Sequence, residues 1–312
     1  MSDPLAMLPS APDVDAAWQA IRPHLAPSRL GLLDGVLAKF ENENPTGSFK
    51  VRGALAALAA ARASGANRVI AASAGNHGSG IAYAAGKLGI TATVVVPRDC
   101  PKVKLEKMRR YGADVHVSEF SGYDDAEAEA IERAGAEGVP FVSPFAATAV
   151  MAGNGGTVAR EILQAQPDVA SIVVPVGGGG LLAGIIAELE RAAPSVQVAA
   201  VQSEACPAFV RSLEDGTTYL RWEGEESWAE GLEGGTGSAG VAAALRFGAT
   251  ACAVPESSVR VAVRRIYAND GIGIEGSSAV VFAARAEGLL AGLPEPCVHV
   301  VTGGNIAPER LA

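Results

Sequence analysis

Three observations predict an α/β fold built on parallel sheets. Short β-branched apolar runs alternate with longer helical stretches along most of the chain. Glycines and small polar residues stand just past the carboxyl ends of several of those runs. The 312 residues are 49% hydrophobic, enough to bury a sizeable core in one or two domains. Taken in order, residues 52–63 are rich in Ala and Leu and read as a helix, 68–72 as a short strand and 78–88 as a helix. Residues 91–96 are β-branched and strand-like, 102–111 form an amphipathic basic helix, 114–117 a strand and 124–136 an acidic surface helix. After Pro140 the pattern repeats as helix 157–165, strand 171–176, helix 181–192 and strand 196–202, with a further strand at 298–301. Such alternation places helices on both faces of parallel sheets. Residues 217–240 hold many Gly and Glu without a period and are expected to form a long ordered surface excursion. There is no internal repeat, low-complexity tract or Pro/Ser-rich linker. The expected architecture is two closely packed α/β layers with a cleft between them.

Composition narrows the function. The formal net charge is −9 and the Lys and Arg residues are scattered, which argues against a nucleic-acid or anionic-membrane surface. Met1-Ser2-Asp3-Pro4 is not a basic segment followed by an apolar one, so no signal peptide is expected. The longest uncharged apolar stretch, 171–187, contains Pro175 and five glycines and is not expected to span a membrane. Cys100, Cys206, Cys252 and Cys297 lack CxxC spacing and read as free thiols in a reducing, cytoplasmic compartment. His24, His116 and His299 show no metal-ligand spacing, and no metal site is predicted.

Four segments carry chemistry. Lys50 lies in Asn44-Pro45-Thr46-Gly47-Ser48-Phe49-Lys50-Val51-Arg52-Gly53, a lysine among small, turn-forming and aromatic residues, as a Schiff-base amine requires. Gly177, Gly178, Gly179 and Gly180 follow a strand of buried type and precede an apolar helix. Backbone N–H groups freed there, with the helix dipole, make a phosphate cradle. One or two glycines would suffice for a tight turn. A dinucleotide-binding fold is the competing reading, but Glu204 is the only acid near the position a ribose would need. Ser73-Ala74-Gly75-Asn76-His77-Gly78 also links a strand to a helix. Its N–H groups and the Ser73 hydroxyl suit a substrate carboxylate, and Asn76 suits a phenolate-like oxygen, although Asn76 and His77 are also ordinary turn and helix-start residues. Thr302, in Thr302-Gly303-Gly304-Asn305, can hydrogen-bond a ring nitrogen without adding a full charge, or simply start a turn. Glu275, before Gly276, is placed either beside a cofactor or on a surface loop. Together these segments could supply every part of a pyridoxal-phosphate site.

In that order the motifs resemble those of fold-type II pyridoxal-phosphate enzymes (tryptophan synthase β-like), specifically the serine/threonine dehydratase (threonine ammonia-lyase) and serine racemase family, from about Lys39 through Asn305. The resemblance implies two three-layer α/β/α domains with a cofactor cleft between them. It implies a large cofactor-binding domain of residues 1–63 and 143–312, a small mobile domain of residues 64–142, and a homodimer. Lys50 would hold the cofactor aldehyde and Phe49 would lie against the ring. Asn76 would bond the ring hydroxyl, Gly177–Gly180 the phosphate and Thr302 the ring nitrogen, with Glu275 alongside. Ser73, Gly75, Asn76 and His77 would surround the substrate carboxylate. The implied reaction is β-elimination on L-threonine, L-serine or a related β-hydroxy amino acid, giving a 2-oxo acid and ammonia. A neutral hydroxyl at the ring nitrogen favours prompt loss of a β-leaving group over a long-lived carbanion.

Departures within the family sharpen the choice. Cysteine-synthase-like relatives have Thr or Ser where His77 stands, and threonine-synthase-like relatives have an acid where Val51 lies, so β-replacement is the weaker reading. Racemases place a serine where Ala74 is, and alanine has no proton to give. Glu204 and Ala208 match two parts of a cation site found in some relatives, but Val210 replaces the aspartate. Ala146-Ala147 replaces an aspartate pair, and Glu230-Gly231 an Asp-Gly pair, which points to a β-hydroxy amino acid other than serine or threonine as an option. No regulatory domain is expected after Thr302.

Overall fold

The computed structural model describes residues 3–311. Helix α1 (Ala11–Ile21) precedes a hairpin of β1 (Leu30–Leu33) and β2 (Val36–Phe40). Asp34 (φ 51°) and Gly35 (φ 76°) turn it with the paired positive φ of a type I′ turn, for which Asp-Gly is a favoured sequence. Next come α2 (Lys50–Ala63), β3 (Arg68–Ala72), α3 (Asn76–Leu88), β4 (Thr91–Val96), α4 (Lys102–Arg110), β5 (Asp114–Val117) and α5 (Tyr123–Glu137). Helix α6 (Thr148–Met151) runs through a π-helical turn (Ala152–Gly156) into α7 (Thr157–Ala165). The rest is β6 (Ser171–Pro175), α8 (Gly180–Ala192), β7 (Gln197–Ser203), α9 (Ala208–Asp215), α10 (Ser238–Phe247), β8 (Thr250–Val254), α11 (Glu256–Asp270), α12 (Gly276–Ala286) and β9 (Cys297–Val301).

The strands form two sheets, ordered β1-β2-β9-β6-β7-β8 and β3-β4-β5. All pairs are parallel except the β1–β2 hairpin. Both sheets are covered on both faces, because alternate side chains of each strand point to opposite sides. On the small sheet Val69, Ala71, Val94 and Val96 pack toward α2 and α3, while Ile70, Ala72 and Val95 pack on Ala126, Ala130 and Ala134 of α5. On the large sheet Val173, Ala199 and Val301 face α11 and α12, while Ile172, Val174, Val198 and Val300 face α7, α8 and α10. Fully burying each such Val or Ile contributes about 1.5–3 kcal/mol. The cluster under the small sheet also takes in Val14 and Ala17 of α1, Val51 and Leu55 of α2, and Val150.

The predicted strands and helices between residues 50 and 203 form, with ends shifted by a residue or two. The β1–β2 hairpin adds an antiparallel edge to a sheet expected to be parallel throughout. Residues 217–240 are not a surface excursion for their whole length, since Ser227, Ala229, Leu232 and Thr236 are buried and α10 begins at Ser238. Burial there is possible because carboxylates accept the backbone N–H groups: Glu233 takes that of Ser227 (3.0 Å) and Glu256 that of Trp228 (2.9 Å). The four cysteines are free. No described helix is long and apolar enough to cross a membrane.

Candidate active site

Three strands deliver their carboxyl ends to one cleft. Ser73 follows β3, Gly177 follows β6 and Thr302 follows β9. Ligand sites of open α/β sheets form at such ends. The loop before α2 is laced onto the third of them. Ser48 bridges Gly303, the N–H of Phe49 donates to the Thr302 carbonyl (3.0 Å) and that of Gly304 to the Gly47 carbonyl (2.9 Å). That lacing places Lys50, the first residue of α2, inside the cleft. Its Nζ donates to the Pro144 carbonyl at 3.0 Å and lies 5.2 Å from the centre of the Phe49 ring. Burial brings the amine down to about 8, so an appreciable fraction is uncharged near neutral pH.

Each of the four glycines at the head of α8 is fixed by close approach. A Cβ on Gly177 would lie 2.9 Å from the Leu232 Cα, one on Gly178 would lie 2.7 Å from the Phe145 ring, and one on Gly180 would lie 2.6 Å from the Phe145 carbonyl oxygen. Gly179 has φ 82°, a left-handed conformation that favours glycine. Beside it stands Thr236, whose buried hydroxyl has no partner and lies 3.5 Å from where a Gly179 Cβ would be. Sequence reading missed Thr236 because nothing local marks a threonine in a Gly-rich loop.

Thr302 is buried, its hydroxyl 3.0 Å from that of Ser278. Ser278 also bonds both backbone groups of Gly303, at 2.8 Å each. Opposite, Asn76 starts α3 and directs its Nδ2 at both oxygens of Glu275, 3.0 Å each. Glu275 further accepts the Asn305 N–H (2.9 Å), and burial holds its carboxyl above the ordinary range. Glu275 is half-buried between the start of α3 and the Gly303–Asn305 turn. Asn305 donates to the Asn76 Oδ1 (2.7 Å) and accepts from the Lys107 ammonium (2.6 Å).

Around the start of α3, the Ser73 hydroxyl accepts the Gly75 N–H at 3.1 Å, and a Cβ on Gly75 would meet nothing within 4 Å. Gly75 therefore fronts open space. His77 behaves differently from its neighbours. It is buried, its Nε2 lies 3.0 Å from the Val142 carbonyl, and burial and the nearby Lys50 charge push it down to about 3. It is neutral, and its side chain braces the loop from behind.

Beneath α2 lies a buried charge cluster that the sequence did not disclose. Arg52 donates to Glu41 (2.6 and 2.9 Å) and to Glu161 (2.7 and 2.8 Å), and Lys39 donates to Glu161 (2.6 Å). Glu161 lies more than a hundred residues along the chain from the other three, so only the fold brings it to them.

The family model described as pyridoxal-phosphate dependent enzyme matches residues 23–303. The chain is 35% identical over 296 residues to an L-threonine ammonia-lyase of Geobacter sulfurreducens, covering 94% of this chain and 72% of that one. It is 42% identical over 198 residues to an L-threonine ammonia-lyase of Thermotoga maritima, covering 63% of this chain and 49% of that protein's length. Among solved structures it superposes on a T.th. threonine deaminase with a TM-score of 0.88 at 31% identity, covering 96% and 99% of the two chains. Maize serine racemase shares the fold, with a TM-score of 0.90 at 22% identity, covering 97% and 96%.

Proposed function

The chain belongs to the pyridoxal-phosphate-dependent enzyme family, and from that membership we propose that it removes water and ammonia from a β-hydroxy amino acid, such as L-threonine or L-serine, to leave a 2-oxo acid. The observation that carries this reading is the Lys50 amine, lowered by burial to about 8 and held on the Pro144 carbonyl, next to the Phe145 that packs on Gly178 and Gly180. The residues present fit the cofactor. The unpartnered Thr236 hydroxyl lies beside the Gly177–Gly180 turn, where it would donate a hydrogen bond to a phosphate oxygen.

Bound pyridoxal phosphate supplies an electron sink for charge developing at the substrate Cα. Lys50 would hold the cofactor through its amine, and the same amine would serve as general base toward the substrate Cα proton. The N–H groups of Gly177–Gly180 and the Thr236 hydroxyl would receive the phosphate. Thr302, backed by Ser278, would offer a neutral hydroxyl to the ring nitrogen, Phe49 would lie against the ring, and Asn76, held by Glu275, would stand at the ring hydroxyl. Ser73, Gly75 and Asn76 receive the substrate carboxylate at the head of α3, with His77 bracing them. The Cα proton and the β-hydroxyl would leave together as one water, and a second water would hydrolyse the remaining enamine to the 2-oxo acid and ammonia.

On the same reading residues 64–142 close over the substrate as a smaller unit against 1–63 and 143–312. Lys107 and Tyr111, donating to the Thr46 (3.0 Å) and Pro45 (2.9 Å) carbonyls, are contacts such a motion would break. The protein acts as a cytoplasmic homodimer on a free amino acid. Free thiols support a reducing compartment.

A visible spectrum of purified protein, with and without Lys50→Ala, tests the cofactor lysine. L-serine, L-threonine and L-threo-3-hydroxyaspartate are then offered and 2-oxo acid measured. Release from one of them, abolished by Lys50→Ala, is expected. D-serine formed from L-serine faster than pyruvate would replace the lyase reading with a racemase. A spectral change without oxo acid would point to β-replacement, and no visible absorbance even after added pyridoxal phosphate would overturn the proposal.

A further inference from the structure

Two helices carry the main parts of the site: α2 begins at Lys50, and α8 begins at Gly180. The π-helical turn Ala152–Gly156 is wedged between them, and all five of its residues are buried. A π-turn holds one more residue than the α-helix it interrupts, and such turns occur often at functional sites. This one touches both helices through glycines. A Cβ on Gly153 would lie 2.8 Å from the Arg52 carbonyl oxygen of α2, and one on Gly155 would lie 2.1 Å from the Leu181 carbonyl oxygen of α8.

The middle residue of the turn, Asn154, reaches back to α2, where the Gly53 N–H donates to its Oδ1 at 2.8 Å. The Phe49 carbonyl takes the N–H of Arg52 (3.0 Å), and the next N–H along, that of Gly53, goes to Asn154. Asn154 thus satisfies a donor in the first turn of α2, three residues from Lys50. Gly53 is suited to this role because a Cβ there would lie 2.6 Å from the Asn154 Oδ1.

We propose that Asn154 is a positioning residue for Lys50: from the π-turn it fixes the first turn of α2 and so sets the Lys50 amine against the Gly177–Gly180 cradle. The proposal rests on Lys50 being the cofactor lysine. Asn154→Ala leaves the Gly53 N–H without its acceptor and frees the turn that begins at Lys50. Gly53→Ala drives the Asn154 side chain away from the other side. The double variant removes the clash, because the atoms that the new methyl would strike are those of Asn154.

The test uses holoenzyme of the four proteins, with cofactor content, denaturant stability, kcat, KM and the pH midpoint of the visible absorbance measured on each. Asn154→Ala is expected to bind cofactor fully, to lose about 10- to 100-fold in kcat with KM nearly unchanged, and to move the absorbance midpoint by roughly half a pH unit or more. The double variant should regain stability relative to Gly53→Ala while kcat and the midpoint stay displaced. The rate at which apoprotein takes up cofactor, followed against pH, should show the same displaced midpoint. Recovery of kcat and midpoint together with stability would overturn the proposal and leave Asn154 a packing residue. So would wild-type values in Asn154→Ala. If Lys50→Ala keeps the visible absorbance, the lysine reading falls and this inference falls with it. If Lys50→Ala loses the absorbance and Asn154→Ala matches wild type, only this inference fails.

Discussion

The side-chain amide of Asn76 rests on the carboxylate of Glu275, with Nδ2 3.0 Å from each oxygen, and so ties the start of α3 to the loop before α12. Burial raises the Glu275 carboxyl, more than the Asn76 and Asn305 hydrogen bonds lower it. For a carboxyl raised on folding, the stabilisation is complete below its unfolded value of about 4.3 and is lost as pH rises through its folded value. Glu275→Gln has no such loss. Urea unfolding of apoprotein across the acid-to-neutral range should show the variant gaining on wild type as pH rises. A constant difference would contradict the burial argument.

Lys50 gives the opposite sign. Its folded value of about 8 lies below the unfolded one of about 10.4, so the unfolded chain binds more protons between them and stability climbs with pH through that window. Lys50→Met in the apoprotein removes the buried amine. It is expected to stabilise by up to about 3 kcal/mol below pH 8, with the gain fading toward pH 10.4. Denaturant melts at three pH values check this.

Two glycines share a backbone conformation but not a neighbourhood. Gly179 (φ 82°) has the Gly240 Cα 3.0 Å from its would-be Cβ, whereas Gly35 (φ 76°) has nothing within 4 Å. Both Ala variants are expected to lose roughly 1 kcal/mol of stability from the left-handed backbone. Only Gly179→Ala should also weaken cofactor binding, by about tenfold or more, through displacement of the turn. Equilibrium titration of the two apoproteins with pyridoxal phosphate separates the effects.

Arg52 joins two buried carboxylates. Burial alone would lift the Glu41 carboxyl, but the Arg52 guanidinium overrides it and holds the group below its usual range. Arg52→Ala leaves charge without its partner and should cost about 3–5 kcal/mol. Arg52→Lys keeps the charge but lacks the fork that serves both acids, so it should fall between the alanine variant and wild type. Chemical denaturation orders the three.

Local chemistry made most of the scaffold legible. The strands at 68–72, 91–96, 171–175 and 197–203 are β-branched or apolar runs bounded by turn residues, and sheets covered on both faces require such runs. Other elements carry mixed signals. In α11, Val259, Val261 and Val263 alternate as a strand would, and α12 is buried all round and so has no polar face to betray its period. The β1–β2 hairpin is short, and Leu32 is exposed, so its alternation is faint.

The residue types a pyridoxal-phosphate site needs, and their order along the chain, are written in the sequence: Lys50, the Ser73–Gly78 turn, the four glycines and Thr302. Backbone rules make those motifs readable, since glycine runs and strand-to-helix turns act within a few residues. What each side chain meets depends on the tertiary fold. Folding turned Asn76 onto Glu275, put His77 behind its loop on Val142, set Ser278 beside Thr302, and brought Asn154 to Gly53. Hydrogen bonds reach about 3 Å, and their partners here lie up to 199 residues apart, so no local pattern in the chain encodes them.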